Sequence, residues 1–261
     1  MVGEDLLQAT PVDVQAKPKE VKLDGGVVVH LAPLGRQGEA GVVPMAGVFG
    51  KAFKGDKVVV WVHPGGKASL FEGGKPVAAA KALIDQGYAI AAPDVFETGE
   101  MKPEKPFAVD PRFAGYTYGY NRPVFANRVR DILTAVLFAK DVLKAKTIHL
   151  VGWEGAGPWV VAARALCGDR IGRTAADLNQ FTFEGVTSTA DENLLPGAVK
   201  FGGLPAFLAL CAPGEVFVHN HSGTETGRLS KSGYAVAGDK AALKHESGKA
   251  KPEDVVGWLT K

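Results

Sequence analysis

The sequence predicts an α/β fold, with a mostly parallel, twisted sheet that carries helices on both faces. Continuous apolar runs at residues 57–63 and 88–93 are typical of strands that are buried on both faces. Segments with apolar residues at helical spacing, such as 75–86 and 123–143, alternate with these runs. This alternation is the pattern of a parallel sheet whose strands are joined by crossover helices. We therefore expect one domain over residues 1–261.

The first fifty residues are predicted to form strands. Amphipathic patterns at residues 27–31 and 42–49 flank a Gly-containing turn region. The buried strand at 57–63 and the helix at 75–86 follow. Gly87 suits the left-handed position that comes directly after a helix.

The helix at 123–143 has the clearest periodicity, with Asn121 as a cap candidate and Pro123 in its first turn. Two long excursions, residues 95–120 and 181–203, are predicted to be irregular rim or lid segments. The remaining predicted elements are strands at 147–153, 173–178, 215–219 and 241–246, helices at 155–166 and 204–210, and a C-terminal helix that begins at Pro252.

Composition restricts the function classes. The 30 basic and 28 acidic side chains give a net charge of +2, which offers no electrostatic case for a nucleic-acid or membrane partner. Residues 1–20 lack the apolar stretch of a secretory signal, so we expect either a cytosolic protein or a trimmed piece of an exported one. Cys167 and Cys211 stand in apolar surroundings and are expected to be buried free thiols, with a disulfide as the alternative.

Residues 147–157 read Thr-Ile-His-Leu-Val-Gly-Trp-Glu-Gly-Ala-Gly, which predicts a strand, a sharp turn and a helix. Gly152, Glu154 and Ala156 match the spacing of the motif G-x-S-x-G, in which a nucleophilic serine stands on such a turn. The small residues are retained, but glutamate occupies the serine position.

Ligands of open α/β sheets bind beyond the carboxyl ends of the strands. The loop at 63–67, His-Pro-Gly-Gly-Lys, could offer the N–H groups of Gly65 and Gly66 to a developing oxyanion, with a further donor at Gly155, where the helix after the turn begins. The polar residues predicted at these strand ends are His63, Asp94, Glu154, Asp177, His219, Asn220 and His221.

From about residue 41 onward, the order of these motifs resembles the α/β-hydrolase superfamily, and more narrowly its acetylxylan-esterase-like and dienelactone-hydrolase-like bacterial branch. The resemblance implies a carboxylic ester hydrolase fold, with carbohydrate esters as the ancestral substrates. It also implies a companion domain in a longer polypeptide, as in some of these families. No Gly-rich phosphate loop follows the first buried strand, so no organic cofactor is expected.

The departures from the family pattern concern all three members of its triad. Active relatives carry serine at the turn, an acid after the penultimate strand and histidine after the last strand. Here Glu154 replaces the serine, Glu225 is the carboxylate nearest to the expected acid, and Lys249 falls where histidine is expected, with His245 four residues earlier. We therefore predict a non-catalytic or weakly active accessory domain.

Two alternatives stay open. The first is an active hydrolase in which Glu154 attacks carbon or activates water, assisted by His219 or His221, or in which Ser69 or Ser222 is a displaced nucleophile. The second is a metal- or carbohydrate-binding module. Its ligands would come from His63, Asp94, Glu154, His219 and His221.

Overall fold

The computed structural model describes residues 11–39, 41–105, 108–223, 227–238 and 242–261. Its strands are β1 (Val12–Val14), β2 (Lys19–Lys22), β3 (Val28–Arg36), β4 (Val42–Phe49), β5 (Lys57–Val62), β6 (Phe71–Glu72), β7 (Lys75–Pro76), β8 (Ala89–Pro93), β9 (Thr147–Gly152), β10 (Arg173–Asp177), β11 (Glu215–His219) and β12 (Leu243–Glu246). Its helices are α1 (Ala78–Asp85), α2 (Ala114–Tyr120), α3 (Val124–Leu137), α4 (Gly157–Cys167), α5 (Gly203–Leu210), α6 (Arg228–Val236) and α7 (Pro252–Leu259).

Within the described ranges, ten strands form one sheet in the order β1-β3-β4-β8-β5-β9-β10-β11-β12, and β2 also pairs with β3. The strand pairs from β8 to β12 are parallel, whereas the pairs that involve β1 to β4 are antiparallel. Strands β6 and β7 form a separate two-stranded hairpin. The prediction of a mostly parallel sheet is confirmed.

The alternation of side chains along β5 shows where the core lies. Val58, Val60 and Val62 belong to the apolar cluster that includes residues of α3, α4, α5 and α6. Val59 and Trp61 belong to the opposite cluster, with residues of α1 and α7. All five side chains are at most 4% exposed, so this strand is buried on both faces as predicted, and helices cover both sides of the sheet.

Several boundaries differ from the predicted ones. Strand β5 ends at Val62, which makes His63 the first residue of the following loop. Helix α1 is shorter than residues 75–86 because Lys75–Pro76 is taken up by β7. Gly87 has φ +82°, which confirms the expected left-handed position.

The predicted cap at Asn121 is wrong. The residue at the start of α3 is Pro123, while Asn121 donates from Nδ2 to the carbonyl of Thr117 and thereby closes α2. Helix α2 itself lies in a segment that we expected to be irregular. It has no buried residue and contains two glycines, so neither periodicity nor propensity indicated a helix. Helix α6 was likewise not predicted.

Cys167 and Cys211 are buried free thiols, as expected. Burial raises the pKa of each thiol to about 12. In the part of the chain that the structure describes, no helix combines the length and apolarity needed to cross a bilayer.

Candidate active site

The turn between β9 and α4 has the geometry of a nucleophile elbow. Glu154 adopts φ +51°, a left-handed conformation that a side chain beyond glycine rarely takes, and its side chain is 55% exposed. A Cβ atom added to Gly152 would lie 3.0 Å from the carbonyl oxygen of Ala156. One added to Gly157 would lie 2.0 Å from the carbonyl oxygen of Asp177. These close approaches hold the turn tightly against β10, so Glu154 projects from the carboxyl edge of the sheet.

Lys249 lies between two carboxylates at this edge. Its Nζ atom is 4.0 Å from Oε1 of Glu154 and 3.8 Å from Oδ2 of Asp177. The Asp177 side chain is 1% exposed, and its Oδ1 accepts hydrogen bonds from the amide of Asn179 and from Nδ2 of Asn220. The loop that carries Lys249 is fixed to this group, because the amide of Asn220 donates to the carbonyl of Gly248 at 2.9 Å.

His63 approaches Glu154 from the other side. Its Nε2 atom is 3.5 Å from Oε2 of Glu154, and its Nδ1 accepts a hydrogen bond of 2.8 Å from the amide of Gly65. Burial lowers the pKa of the His63 imidazole; the charge of Glu154 raises it, and that of Lys249 lowers it, by less.

The predicted oxyanion donors are engaged elsewhere. The amide of Gly65 is bonded to the His63 ring, and the amide of Gly66 donates to the His63 carbonyl at 2.9 Å. We expected both N–H groups to point at a ligand, and the tight turn of this loop uses them internally instead. Gly155 lies against the same loop, since a Cβ added to it would be 3.7 Å from Cγ of Pro64.

His219 is the last residue of β11, and His221 follows two residues later; both side chains are buried. His219 is 1% exposed, and its Nδ1 accepts a hydrogen bond from the amide of Ala250 at 3.3 Å. Burial lowers the pKa of its imidazole, which the neighbouring charge of Asp177 raises in part. His221 is 5% exposed, with its ring 5.7 Å from that of His245. We expected these two rings to assist Glu154. The described ion pairs of Glu154 are instead with His63 and Lys249.

We expected Asp94 to be available to a ligand. The structure shows instead that it anchors the loop after β5. Its Oδ1 accepts from the amide of Lys67 at 2.7 Å, and its Oδ2 pairs with the Lys67 ammonium and accepts from the amide of Glu100. A Cβ on Gly66 would lie 2.2 Å from Oδ1 of Asp94, so only glycine permits this approach.

The two serines proposed as displaced nucleophiles lie in the segments that follow β5 and β11. Ser69 donates from Oγ to the carbonyl of Gly66 and accepts from Nε1 of Trp61, which makes it a structural link within the loop. Ser222 is exposed in the loop after β11. Glu225 lies outside the described residues.

Arg128 joins the two rim excursions. It is 2% exposed, donates from Nε to the carbonyl of Phe96 at 3.0 Å, and pairs with Glu192 at 2.8 Å. Its guanidinium lies 4.3 Å from the ring centroid of Trp159, in the helix after the elbow. A buried cation thus connects both rim segments to the helix that carries the elbow.

The metal-site alternative has no support from geometry. Among the described residues, no three or more His, Cys, Asp or Glu side chains are grouped so that they could hold a metal ion.

Comparison with known proteins then identifies the architecture. No protein-family model matches the sequence, and no curated protein matches it. Among solved structures, a candidate acetyl xylan esterase from Bacteroides fragilis superposes with a TM-score of 0.67 at 13% identity, over 93% of this chain and 71% of that one. A glucuronoyl esterase from Solibacter usitatus gives a TM-score of 0.58 at 14% identity, over 97% and 86%. Acetyl xylan esterase 1 from Thermoanaerobacterium gives 0.56 at 10% identity, over 95% and 89%.

The chain has the α/β-hydrolase fold.

In α/β-hydrolase terms, Glu154 stands at the tip of the elbow and Lys249 follows the last strand. Asp177 is the residue that sequence reasoning undervalued. It ends β10, one strand before the expected acid position, and is in register with His219 of β11. Its only sequence signal was an aspartate at the end of an apolar run.

Proposed function

We propose that this esterase-like domain does not hydrolyse esters through a nucleophile–base–acid relay and serves instead as an accessory or binding domain. The observation that supports the proposal is the row of charges Glu154, Lys249 and Asp177 at the edge where a triad would act. We further infer that the ligand of this domain is a small molecule or a carbohydrate ester, from the names of the structural neighbours.

The chemistry of the three groups argues against a relay. A serine triad needs a hydroxyl that gives up its proton and an imidazole that accepts it. A carboxylate at position 154 offers no such proton, and an ammonium such as that of Lys249 has three donors and no acceptor. The internal hydrogen bonds of Gly65 and Gly66 also leave those two amides without a free donor for an oxyanion.

The proposal is tested by restoring the missing groups. The unmodified protein is expected to hydrolyse p-nitrophenyl acetate no faster than buffer and to resist labelling by a fluorophosphonate. The double variant Glu154→Ser with Lys249→His is expected to become labelled, because Asp177 is already buried and oriented by Asn179 and Asn220. Adding Asp177→Asn is the matched control and should reduce the labelling. Ester turnover by the unmodified protein that disappears in Glu154→Gln would overturn the proposal.

A second candidate function follows from the contact between His63 and Glu154. Because Nδ1 of His63 accepts a hydrogen bond, the neutral ring carries its proton on Nε2, which lies 3.5 Å from Oε2 of the Glu154 carboxylate. Glu154 could then take a proton from water, whose oxygen attacks an ester carbonyl, and pass the proton to the departing alkoxide. This candidate requires that Glu154→Gln and His63→Gln both abolish a measurable rate while Lys249→Met preserves it.

A further inference from the structure

One carboxylate oxygen of Asp177 is buried without a hydrogen-bond donor. The other oxygen, Oδ1, accepts from the amide of Asn179 at 2.9 Å and from Nδ2 of Asn220 at 2.8 Å. Among the residues that the structure describes, no donor is within hydrogen-bond distance of Oδ2, although the side chain is only 1% exposed. Buried polar atoms are nearly always hydrogen-bonded, because an unsatisfied one is costly. Oδ2 therefore indicates a donor that comes from outside the described chain.

The loops after β10 and β11 fix the direction of this oxygen. Oδ1 of Asn220 accepts a hydrogen bond of 2.9 Å from Nε2 of Gln180, and the carbonyl of Asn220 accepts one of 2.8 Å from the Gln180 amide. The amide of Asn220 donates to the carbonyl of Gly248, the residue before Lys249. Because this network holds Oδ1, Oδ2 is the Asp177 oxygen that approaches the Lys249 ammonium.

The charged groups at this edge are too far apart for direct hydrogen bonds. Nζ of Lys249 is 3.8 Å from Oδ2 of Asp177 and 4.0 Å from Oε1 of Glu154. Hydrogen bonds between an ammonium and a carboxylate are about 2.7 to 2.9 Å long. Polar groups at the longer separations are commonly bridged by a third group between them. The side chains of Glu154 and Lys249 are 55% and 60% exposed, so a solute can reach this position.

The order of donors and acceptors restricts the bridging group. Asp177 and Glu154 accept hydrogen bonds, and the Lys249 ammonium between them donates. A carbonyl or carboxylate oxygen can only accept, and an ammonium can only donate. A hydroxyl group does both, so it can donate to a carboxylate and accept from Lys249 at the same time.

The balance of charge argues against a charged ligand. Two carboxylates and one ammonium leave one net negative charge, since His63, whose pKa is lowered by burial, is neutral at pH 7. An anion would be repelled by this net charge. A cation would have to compete with the Lys249 ammonium for the same two carboxylates. A neutral ligand meets neither cost.

We propose that this edge of the sheet binds a neutral ligand with two adjacent hydroxyl groups, such as the vicinal diol of an unesterified saccharide. One hydroxyl donates to Oδ2 of Asp177 and the other to Oε1 of Glu154. Both accept from the Lys249 ammonium, and they must be adjacent because they share its nitrogen. The inference rests on the proposed binding role of this domain and deepens it by naming the chemical group that is recognised.

The test is NMR titration of the isotope-labelled full chain at pH 7.5 with methyl β-D-glucopyranoside and, separately, with methyl β-D-glucopyranosiduronate. These probes differ only in the carboxylate of the second. We expect the amide resonances of Asn179, Asn220 and Lys249 to shift with the neutral glucoside, and the glucuronide to bind about fivefold more weakly.

A second pair of probes tests the need for adjacent hydroxyls. Cyclohexane-1,2-diol is expected to bind about fivefold more tightly than cyclohexane-1,4-diol, because only the vicinal isomer can place both hydroxyls on one ammonium.

Variants test each contact. Asp177→Asn replaces Oδ2 by a donor, since Asn179 and Asn220 hold the amide oxygen at the Oδ1 position, and should weaken glucoside binding about tenfold. Lys249→Met, at an exposed position, should weaken it and remove the preference for the vicinal diol even if Asp177→Asn fails to fold. Lys251→Met, at the next lysine along the chain, is the matched control and should change neither affinity.

Glu154→Gln removes the net negative charge at this edge. The variant should bring the affinity for the glucuronide to within about twofold of that for the glucoside.

Three results contradict this inference: no binding of the glucoside, equal affinity of the unmodified protein for the glucoside and the glucuronide, or unchanged glucoside binding in Lys249→Met. The probes contain no ester, so their outcome is separate from that of the hydrolysis assay. Ester turnover that depends on Glu154 contradicts the proposed accessory role, whereas failure of the glucoside to bind contradicts only the recognition of a diol.

Discussion

The Nε2 atom of His63 lies 3.5 Å from Oε2 of Glu154 at the carboxyl edge of the sheet. This contact joins the loop after β5 to the elbow after β9, two neighbouring parallel strands. The ring is oriented by the hydrogen bond that Nδ1 accepts from Gly65, so its tautomer and direction are set by the loop itself. The elbow carboxylate therefore has an imidazole on one side and the Lys249 ammonium on the other.

The His63 pKa reports on this arrangement. Burial lowers it below the ordinary value of 6.5, Glu154 raises it and Lys249 lowers it. We expect Glu154→Gln to lower the pKa of His63 further and Lys249→Met to raise it, as followed by NMR titration of the ring. Glu253→Gln, in the first turn of α7, is the control and should have no effect. Shifts of the His63 pKa in the opposite directions would show that the charges of Glu154 and Lys249 do not act on the ring in this way.

Backbone strain at the elbow can be measured by Glu154→Gly. A side chain at φ +51° costs on the order of 1 kcal/mol, which glycine avoids. We expect the variant to be as stable as the unmodified protein or more stable by up to about 1 kcal/mol in urea unfolding. Glu253→Gly, at a helical position of α7, should instead lose about 0.5 to 1 kcal/mol. Equal losses at both positions would contradict a strained elbow.

The contact of α4 with β10 requires glycine at position 157. The Cβ of Gly157→Ala would lie 2.0 Å from the carbonyl oxygen of Asp177, so the helix or the strand must move. We expect a loss of about 3 kcal/mol in the free energy of unfolding. Gly257→Ala is the matched control, because that helical glycine has open space around it and should gain up to about 1 kcal/mol. A neutral Gly157→Ala would rule out this close approach.

Two titratable groups, the buried His149 and the half-buried Asp131, give stability opposite dependences on pH. Burial lowers the pKa of His149 from 6.5 to about 4, so the folded protein disfavours its charged form, and stability is lost as pH falls from 6.5 towards 4. The full difference corresponds to about 3 kcal/mol. Burial raises the pKa of Asp131 from 3.8 to about 6, so stability is lost as pH rises through that interval.

These two effects partly cancel, and variants separate them. His149→Gln keeps an acceptor for the Arg173 amide but cannot titrate, so stability should fall as pH rises from 4 to 6. Asp131→Asn keeps an acceptor for the Phe96 amide and should steepen the rise of stability with pH. The measurement is urea unfolding at several pH values, and parallel curves for the three proteins would refute both assignments.

Much of the fold could be predicted because a strand that is buried on both faces has a continuous run of apolar residues in the sequence. Such runs indicate β5 and β8, and the small residues around Glu154 indicate the tight turn after β9. Each of these signals lies within a few positions of the chain. Helix α2 has no such signal in the sequence, since it buries no side chain and contains two glycines.

The site was predicted less completely than the fold. Seventy-odd residues separate Asp177 from Lys249, and their approach depends on the order of β10, β11 and β12 in the sheet. The glycines after His63 indicated a tight loop, but hydrogen-bond partners of backbone amides cannot be read from residue types. The cluster of Lys67, Asp94 and Glu100 was missed for the same reason, because one lysine after a Gly-Gly pair carries no pairing signal.

The two thiols give the helical layer a built-in reporter. Cys167 ends α4 and Cys211 directly follows α5, and the Cys211 thiol contacts the carbonyl of Phe207. Alkylating reagents react with the thiolate, which burial suppresses at both positions. Each alkylation event must therefore be preceded by exposure of a thiol, so the rate of alkylation followed by mass spectrometry would report how often the helical layer opens.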